Sequence, residues 1–254
     1  MDFYKYCGAG NDFVLLDNRN GQWTDYPALA IRLCNRHFGV GADGLMLLEQ
    51  PQQGGDVKMV FYNNDGTPAE MCGNGARCIC RHCHDFGLSG DIQRIETPAG
   101  MVTGRRISES EYQIALNPVT VFAQEEDCTY IELGDPGIPH AVVPCDLTQD
   151  ADQLRAIAKA FRYRFPRGAN VNLWQLTGDN AIRLMTFERG VEDFTLACGT
   201  GTGSTVYALW KAGLVSGQNT AVQTAGGLLH VTVAPKSILL TGPTHRPFTG
   251  TFTL

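Results

Sequence analysis

The chain has 254 residues, 43% of them hydrophobic and 18% charged, which is enough apolar material for one or two packed domains and excludes whole-chain disorder. Lys and Arg total 20 against 26 Asp and Glu, a net charge of −6, so no basic stripe for a nucleic-acid backbone is indicated. No apolar run approaches the ~18–20 residues of a spanning helix, and the opening MDFYKYCGAG lacks the basic and apolar regions of a secretory signal. The expectation is a cytoplasmic protein with no membrane and no nucleic-acid partner. The nine Cys, an odd number in a chain too long to need staples, read as reduced thiols, most of them core hydrophobes and some reactive.

In chain order, a strand-like run at Asp12–Asp17 precedes a helical pattern of Ala30, Leu33 and Cys34. Strand-like runs follow at Gly44–Leu48 and Val57–Tyr62, then a helix carrying Ile79, Cys83 and Phe86 with Gly87 as its stop. Tyr112–Leu116, Tyr130–Leu133 and His140–Val143 read as strands; Leu154, Ile157, Ala158 and Phe161 form the cleanest amphipathic stripe. Val171–Leu176 and Ala181–Phe187 are again strand-like, Val206, Leu209 and Trp210 mark a fourth helix closed by Gly213, and Leu228–Val233 is a further strand. A Gly-rich turn leads into a helix twice, at Cys72-Gly73-Asn74-Gly75-Ala76 and at Cys198-Gly199-Thr200-Gly201. A short turn precedes a strand in each half as well, Gly8-Ala9-Gly10-Asn11 and Gly168-Ala169-Asn170-Val171. The pattern suggests two related α+β halves, divided in the polar stretch around Asn117–Asp127.

A cysteine at a Gly-rich helix entrance is a physical device. Glycine permits close backbone approach, the exposed amides and the positive end of the helix form an anion site, and the same field favours thiolate over thiol. Two such sites suggest two thiols facing each other across a cleft. One would remove a proton from a carbon, the other would return a proton to the opposite face, and a carboxylate would sit between the helix ends: cofactor-independent inversion at an α-carbon. A structural disulfide, a redox pair and metal ligation use two cysteines equally well, and spacing alone leaves them open.

The surrounding motifs carry a resemblance. Gly8-Ala9-Gly10-Asn11-Asp12-Phe13, the run Arg36-His37-Phe38-Gly39-Val40-Gly41-Ala42-Asp43-Gly44, the run Ala69-Glu70-Met71-Cys72-Gly73-Asn74-Gly75-Ala76-Arg77, and Glu188-Arg189-Gly190 followed by Ala197-Cys198-Gly199-Thr200-Gly201 together resemble the diaminopimelate epimerase family. The matches run in order to beyond Thr241-Gly242-Pro243. The resemblance implies an α+β fold of two similar domains, residues 1–117 and 118–245, each a small sheet wrapped around a central helix. The last strand, about 246–254, would return to the first domain, and the active site would lie in the interdomain cleft. It implies no pyridoxal cofactor, no metal, a small amino-acid substrate, a homodimer as family expectation, and interconversion of LL- and meso-2,6-diaminopimelate for lysine and cell-wall precursors. Cys72 would be the proton donor and Cys198 the acceptor, exchanging roles with direction. The amides of Gly73, Asn74, Gly199 and Thr200 would hold the reacting carboxylate; Glu188 and the Arg189 carbonyl would take its ammonium. Asn11, Asn63, Asn170 and the Arg189 side chain would grip the distal end. These roles agree with the residue types: a carboxylate accepts from an ammonium, a guanidinium reads a carboxylate bidentately, and Asn both donates and accepts. Their bland alternatives are turn residues for the Asn and a surface ion pair between Glu188 and Arg189.

The sequence departs from the family at three places. Ile138 stands where an Asn often helps to bind the distal ammonium, Phe194 replaces an acidic residue usual before the second cysteine, and Cys7 stands where a polar residue, often His, is usual. The first departure leaves a racemase of another amino acid, for example histidine, as a rival. A proline-racemase-like dehydratase or isomerase, and a non-catalytic metal or redox module, are further rivals. RCICRHCH, with Cys78, Cys80, His82, Cys83 and His84, contains one Cys-x2-Cys half-site, but a helix would spread these side chains around its axis and no second half-site follows. His37 and His140 lie in family motifs, with satisfied hydrogen-bonding roles expected rather than acid–base work.

Overall fold

In a computed structural model, which describes every residue except Glu70 and Leu254, the chain forms two compact units, Met1–Ile114 with Gly242–Leu254, and Ala115–Thr241. The first unit runs β1 (Asp2–Gly8), β2 (Asn11–Asp17), α1 (Tyr26–Cys34), β3 (Gly44–Glu49), β4 (Val57–Asn63), β5 (Pro68–Ala69), α2 (Gly73–Asp85), β6 (Ile92–Thr97), β7 (Gly100–Arg106) and the first part of β8 (Glu111–Leu116), whose last two residues belong to the second. The second runs β9 (Val119–Gln124), β10 (Thr129–Leu133), β11 (Ile138–Pro144), α3 (Ala151–Arg162), β12 (Asn170–Gly178), β13 (Ala181–Phe187), β14 (Phe194–Thr195), α4 (Gly199–Lys211), β15 (Thr220–Thr224), β16 (Gly227–Ala234) and β17 (Ser237–Pro243); β18 (His245–Thr251) completes the first.

The units repeat one topology. In the first, β1 and β2 form a hairpin, β2 and β3 pair in parallel across α1, β3 and β4 pair antiparallel, and β4 and β6 pair in parallel across α2. In the second, β10 and β11, then β11 and β12 across α3, β12 and β13, and β13 and β15 across α4 repeat those four relations. β18 lies antiparallel to β1, and β9 lies antiparallel to β10 in the same role. The registers fix residue equivalences. Phe13 faces Gly44, which faces Asn63; His140 faces Asn170, and the neighbouring pair Val171–Phe187 sets Asn170 opposite Glu188. The hairpin-closing pairs are Gly8–Asn11 and Leu133–Ile138, so Ile138 occupies the second unit's Asn11 position and Glu188 its Asn63 position.

The long apolar runs are explained by two covered sheet faces. Phe13, Val14, Leu15 and Leu16 are all fully buried. Val14 and Leu16 pack with Leu29, Ala30 and Leu33 of α1, and the alternation of a strand sends Phe13 and Leu15 to the other face, where α2 packs. In the second unit Ala141, Val143, Val171 and Leu173 pack with Leu154 and Ala158 of α3, and α4 packs on β10, β11, β12 and β16. The outer helices begin on oxygen caps, Asp25 accepting from the Ala28 amide and Asp150 from the amides of Asp152 and Gln153.

All nine strand-like runs and all four helical patterns are strands and helices here. Strands that hydropathy does not announce, such as β18 (HRPFTGT, mostly exposed) and β9 inside the polar Asn117–Asp127 stretch, exist because β1 and β10 offer them a pairing edge. The expected final strand ends at Thr251; Leu254, like Glu70 of the motif before Cys72, lies outside the described residues. Among the described residues no helix is long and apolar enough to cross a membrane.

The cysteines of RCICRHCH fill the first unit's interior: Cys78, Cys80 and Cys83 are fully buried on α2, and burial pushes the Cys83 thiol up to about 12. His82 sits among Tyr4, Tyr6 and Phe86. A methyl group on Gly104 would overlap Cys80 Sγ. Gly104→Ala is therefore expected to lose about 1–3 kcal/mol of stability, and Cys80→Ala added to it to restore part of the loss, as read by urea denaturation.

Candidate active site

Each central helix begins on a cysteine. Cys72, with extended φ −134° and ψ 113°, caps α2, its sulfur accepting from the Gly75 amide at 3.4 Å. Cys198, with φ −110° and ψ 115°, caps α4, its sulfur accepting from the Gly201 amide at 3.4 Å. The first intrahelical bonds run from Ala76 to the Cys72 carbonyl and from Thr202 to the Cys198 carbonyl. The amides of Gly73 and Asn74, and of Gly199 and Thr200, therefore stand in the first turn, ahead of the first intrahelical bond, where helix starts attract negative charge.

In the first unit the β1–β2 hairpin turns through Ala9 and Gly10, at φ 52° and 82°, the double positive φ of a two-residue turn. A Cβ on Gly8 would lie 2.9 Å from the Asn74 carbonyl oxygen, so glycine lets this hairpin reach the first turn of α2. That approach brings Asn11 Oδ1 to 3.6 Å from Cys72 Sγ. Behind the turn Arg77, fully buried, donates to Asn74 Oδ1 at 2.8 Å and to the Gly73 carbonyl at 3.4 Å, adding a positive charge beneath the helix start. Asn63 shares the α2 face of the sheet, two residues beyond Phe61, and donates to the Thr67 hydroxyl at 3.0 Å within a tight turn. Asn11, Cys72, Gly73 and Asn74 thus converge at one end of α2, while the Asn63 side chain is held within its own turn.

In the second unit Asn170 opens β12 and Glu188 directly follows β13, one position beyond the Val171–Phe187 pair. The Asn170 carboxamide bridges the backbone, donating to the Pro139 carbonyl at 3.2 Å and accepting the Arg189 amide at 2.9 Å. It thereby holds the loop that carries Glu188 and Arg189. Burial raises the half-buried Glu188 carboxyl, partly opposed by the Thr195 hydroxyl. The Arg189 side chain is exposed and donates to the Arg167 carbonyl at 3.1 Å. Asn172 and Thr186, one period along from Asn170 and Glu188 on the same sheet face, lie directly under the Gly201 turn of α4. Thr200 Oγ1 lies 3.5 Å from Cys198 Sγ.

The two helix starts rest on opposite kinds of surface. Under α2 the lining is Phe13, Met46 and Phe61. At the equivalent positions under α4 it is His140, Asn172 and Thr186. The Thr186 hydroxyl donates to Asn172 Oδ1 at 3.0 Å, which leaves Asn172 Nδ2 to donate to His140 Nδ1 at 3.2 Å, so the His140 proton resides on Nε2. Burial, and secondarily the Arg189 charge, push His140 down to about 3, a neutral imidazole. His37 is exposed beside Phe38.

Sequence reasoning passed over Asp43, which holds Asn11, and the buried Arg77, Asn172 and Thr186. The Asn170–Asn172 alternation was the available signal for Asn172; the others depend on strand neighbours. Phe194 packs edge-to-face on Phe187, ring centroids 5.6 Å apart, an apolar packing role. Cys7 is half-buried, which raises its thiol. Among the described residues no group of three or more His, Cys, Asp or Glu is arranged to hold a metal ion.

A sequence model described as diaminopimelate epimerase matches residues 3–115 and 134–246. A diaminopimelate epimerase of Aquifex aeolicus is 34% identical, covering 98% of this chain and 97% of its own length. One from Archaeoglobus fulgidus is 35% identical, covering 98% and 95%. Among solved structures, a predicted epimerase of Pseudomonas aeruginosa superposes with a TM-score of 0.74 at 14% identity, covering 100% of this chain and 99% of its own. A hydroxyproline epimerase of Agrobacterium vitis with bound trans-4-hydroxy-L-proline gives 0.67 at 15%, covering 98% and 91%. At those identities the likeness is one of fold.

Because the native state refuses a proton at His140 that the unfolded chain accepts near pH 6.5, stability is lost as pH falls from about 6.5 towards 3. Urea denaturation of His140→Gln is expected to show a stability-against-pH slope shallower than wild type by about 1.4 kcal/mol per pH unit in that window.

Proposed function

The chain belongs to the diaminopimelate epimerase family, and on that premise we propose that it converts LL-2,6-diaminopimelate to the meso form by proton transfer at the α-carbon between two cysteines, without a cofactor. One observation carries this reading: a cysteine capping the first turn of a buried helix is built twice, once in each unit. Cys198 as thiolate takes the α-proton, its S–H bond forming as the C–H bond breaks. The electron pair delocalises into the neighbouring carboxylate. Cys72 then gives its thiol proton to the opposite face, leaving Cys198 protonated and Cys72 ionised, the state that runs the reverse reaction.

The carboxylate gains charge as the proton leaves, so donors aimed at it act mainly in the transition state. The amides of Gly73, Asn74, Gly199 and Thr200 are those donors. Glu188 and the Arg189 carbonyl accept from the α-ammonium. Asn11, Asn63, Asn170 and the Arg189 guanidinium serve the distal amino-acid end, Asn170 by fixing the Arg189 backbone. The product would supply lysine and peptidoglycan synthesis in the cytoplasm.

Ile138 favours a second reading. It stands at the position equivalent to Asn11 and offers no polar group, so the same cysteines would act on an amino acid with a different side chain, histidine being one example.

Incubation in heavy water under reducing conditions with LL-diaminopimelate, histidine, lysine, glutamate and proline separates these readings. Deuterium at the α-carbon with inversion is expected for diaminopimelate, falling by about 10²–10⁴-fold in Cys72→Ala and in Cys198→Ala. Inversion confined to another amino acid gives the substrate to the second reading. No exchange with any of them, in folded and reduced protein, overturns the two-cysteine mechanism.

A further inference from the structure

Four charges gather behind Asn11. Lys5, buried, donates to Asp12 at 2.6 Å and to the Gly41 carbonyl. Arg36 bridges the carboxylates of Asp12 and Asp43, its Nη2 lying 2.8 Å from an oxygen of each. Burial would raise the Asp12 carboxyl, but Arg36 and Lys5 outweigh it and hold Asp12 down at about 2. The other Asp43 oxygen accepts the Asp12 amide at 3.1 Å and Asn11 Nδ2 at 2.8 Å.

The fold does not require this cluster. By strand register the second unit carries Tyr130 in the place of Lys5, Pro139 in the place of Asp12, Ala169 in the place of Asp43 and Ile138 in the place of Asn11, and still builds an antiparallel hairpin, with a longer turn through residues 134–137, and the same parallel crossover. The buried Lys5–Asp12 pair contributes little to stability over an apolar alternative, and the Arg36 pairs lie at the surface, where ion pairs contribute little. Their presence in one repeat only, against the residue that touches a cysteine, points away from a structural purpose.

A carboxylate only accepts hydrogen bonds, so Asp43 admits one orientation of the Asn11 carboxamide: nitrogen toward Asp43, oxygen away from it. The oxygen lies 3.6 Å from Cys72 Sγ, where it accepts from a thiol and opposes a thiolate. We propose that Asp43 is a positioning residue that locks Asn11 with its oxygen toward Cys72 and thereby keeps Cys72 protonated; its value as the proton donor rests on the reaction proposed above. Among the described residues, the other charged and titratable groups of this unit around the same helix start are Arg77 and Cys78 on α2 and Cys7 on β1; β7 meets α2 farther along, at Cys80. The variants below leave all of these in place.

The test is iodoacetamide alkylation across pH, with the Cys72 and Cys198 peptides followed separately by mass spectrometry and folding checked by circular dichroism. In Asp43→Asn the new amide can donate to the Asn11 oxygen, so the Asn11 carboxamide turns its nitrogen toward the sulfur. The Cys72 midpoint is expected to fall by about one pH unit, about tenfold more thiolate at neutral pH, while the Cys198 midpoint stays. Asn11→Ala, which changes no charge, is expected to lower the Cys72 midpoint likewise, and Asp43→Asn to add nothing in that background. An unmoved Cys72 midpoint in folded Asp43→Asn or Asn11→Ala overturns the proposal. So does a full shift by Asp43→Asn when Asn11 is already alanine, since Asp43 would then act as a charge through space. Alkylation needs no substrate, so absence of inversion with diaminopimelate would remove the reaction and leave the Asp43–Asn11–Cys72 relation standing.

Discussion

A sulfur atom occupying the N-cap of a buried helix is the constraint around which each unit is arranged. Oxygen caps suit the outer helices, where Asp25 and Asp150 satisfy amide donors at the surface, and such caps stabilise a helix by about 1 kcal/mol. Sulfur is a weaker acceptor, so Cys72 and Cys198 give up some of that stabilisation and keep a titratable group within reach of the helix field. The neighbourhood follows from this choice. The first turns must lie deep against the sheet, and glycine is what allows it: Gly8 beneath Asn74, Gly75 over Met46, Gly201 over Asn172 and Gly203 over Leu116 are all positions where a Cβ would meet neighbouring atoms at about 3 Å or closer.

The two units use one backbone plan with different linings. Apolar side chains support the start of α2, and its polarity is supplied from the hairpin side by Asn11 and the charges that hold it. α4 has no such hairpin group, since Ile138 takes the place of Asn11, and its polarity comes from beneath through Thr186, Asn172 and His140. Duplicated topology therefore gives two cysteines the same cap geometry but unlike hydrogen-bond environments. Such a difference biases which of the two sulfurs holds the proton before a given turnover.

Composition, periodicity and spacing located much of this protein. Runs such as Phe13–Leu16 and Val171–Leu173 are strands covered on both faces, and the amphipathic stripe of α3 needs no partner to be recognised. The cysteines at helix starts were legible because Gly-rich turns before helices have few physical uses. The limits were equally specific. RCICRHCH was legible as a helix that spreads its thiols, but not the strands that bury Cys78, Cys80 and Cys83, and β18 has no apolar rhythm because its reason to exist is the edge of β1.

The sequence by itself determined the four helices and the apolar strands, the Gly-rich turn before a helix in each half, and which residues cap the central helices, since each of these depends on neighbours within a few positions. Only the tertiary structure decided what surrounds the sulfurs. Asp43 meets Asn11 across a parallel strand pair, and Thr186 meets Asn172 across an antiparallel one. Those contacts are set by strand register, a property of pairs of segments that no single stretch of sequence contains.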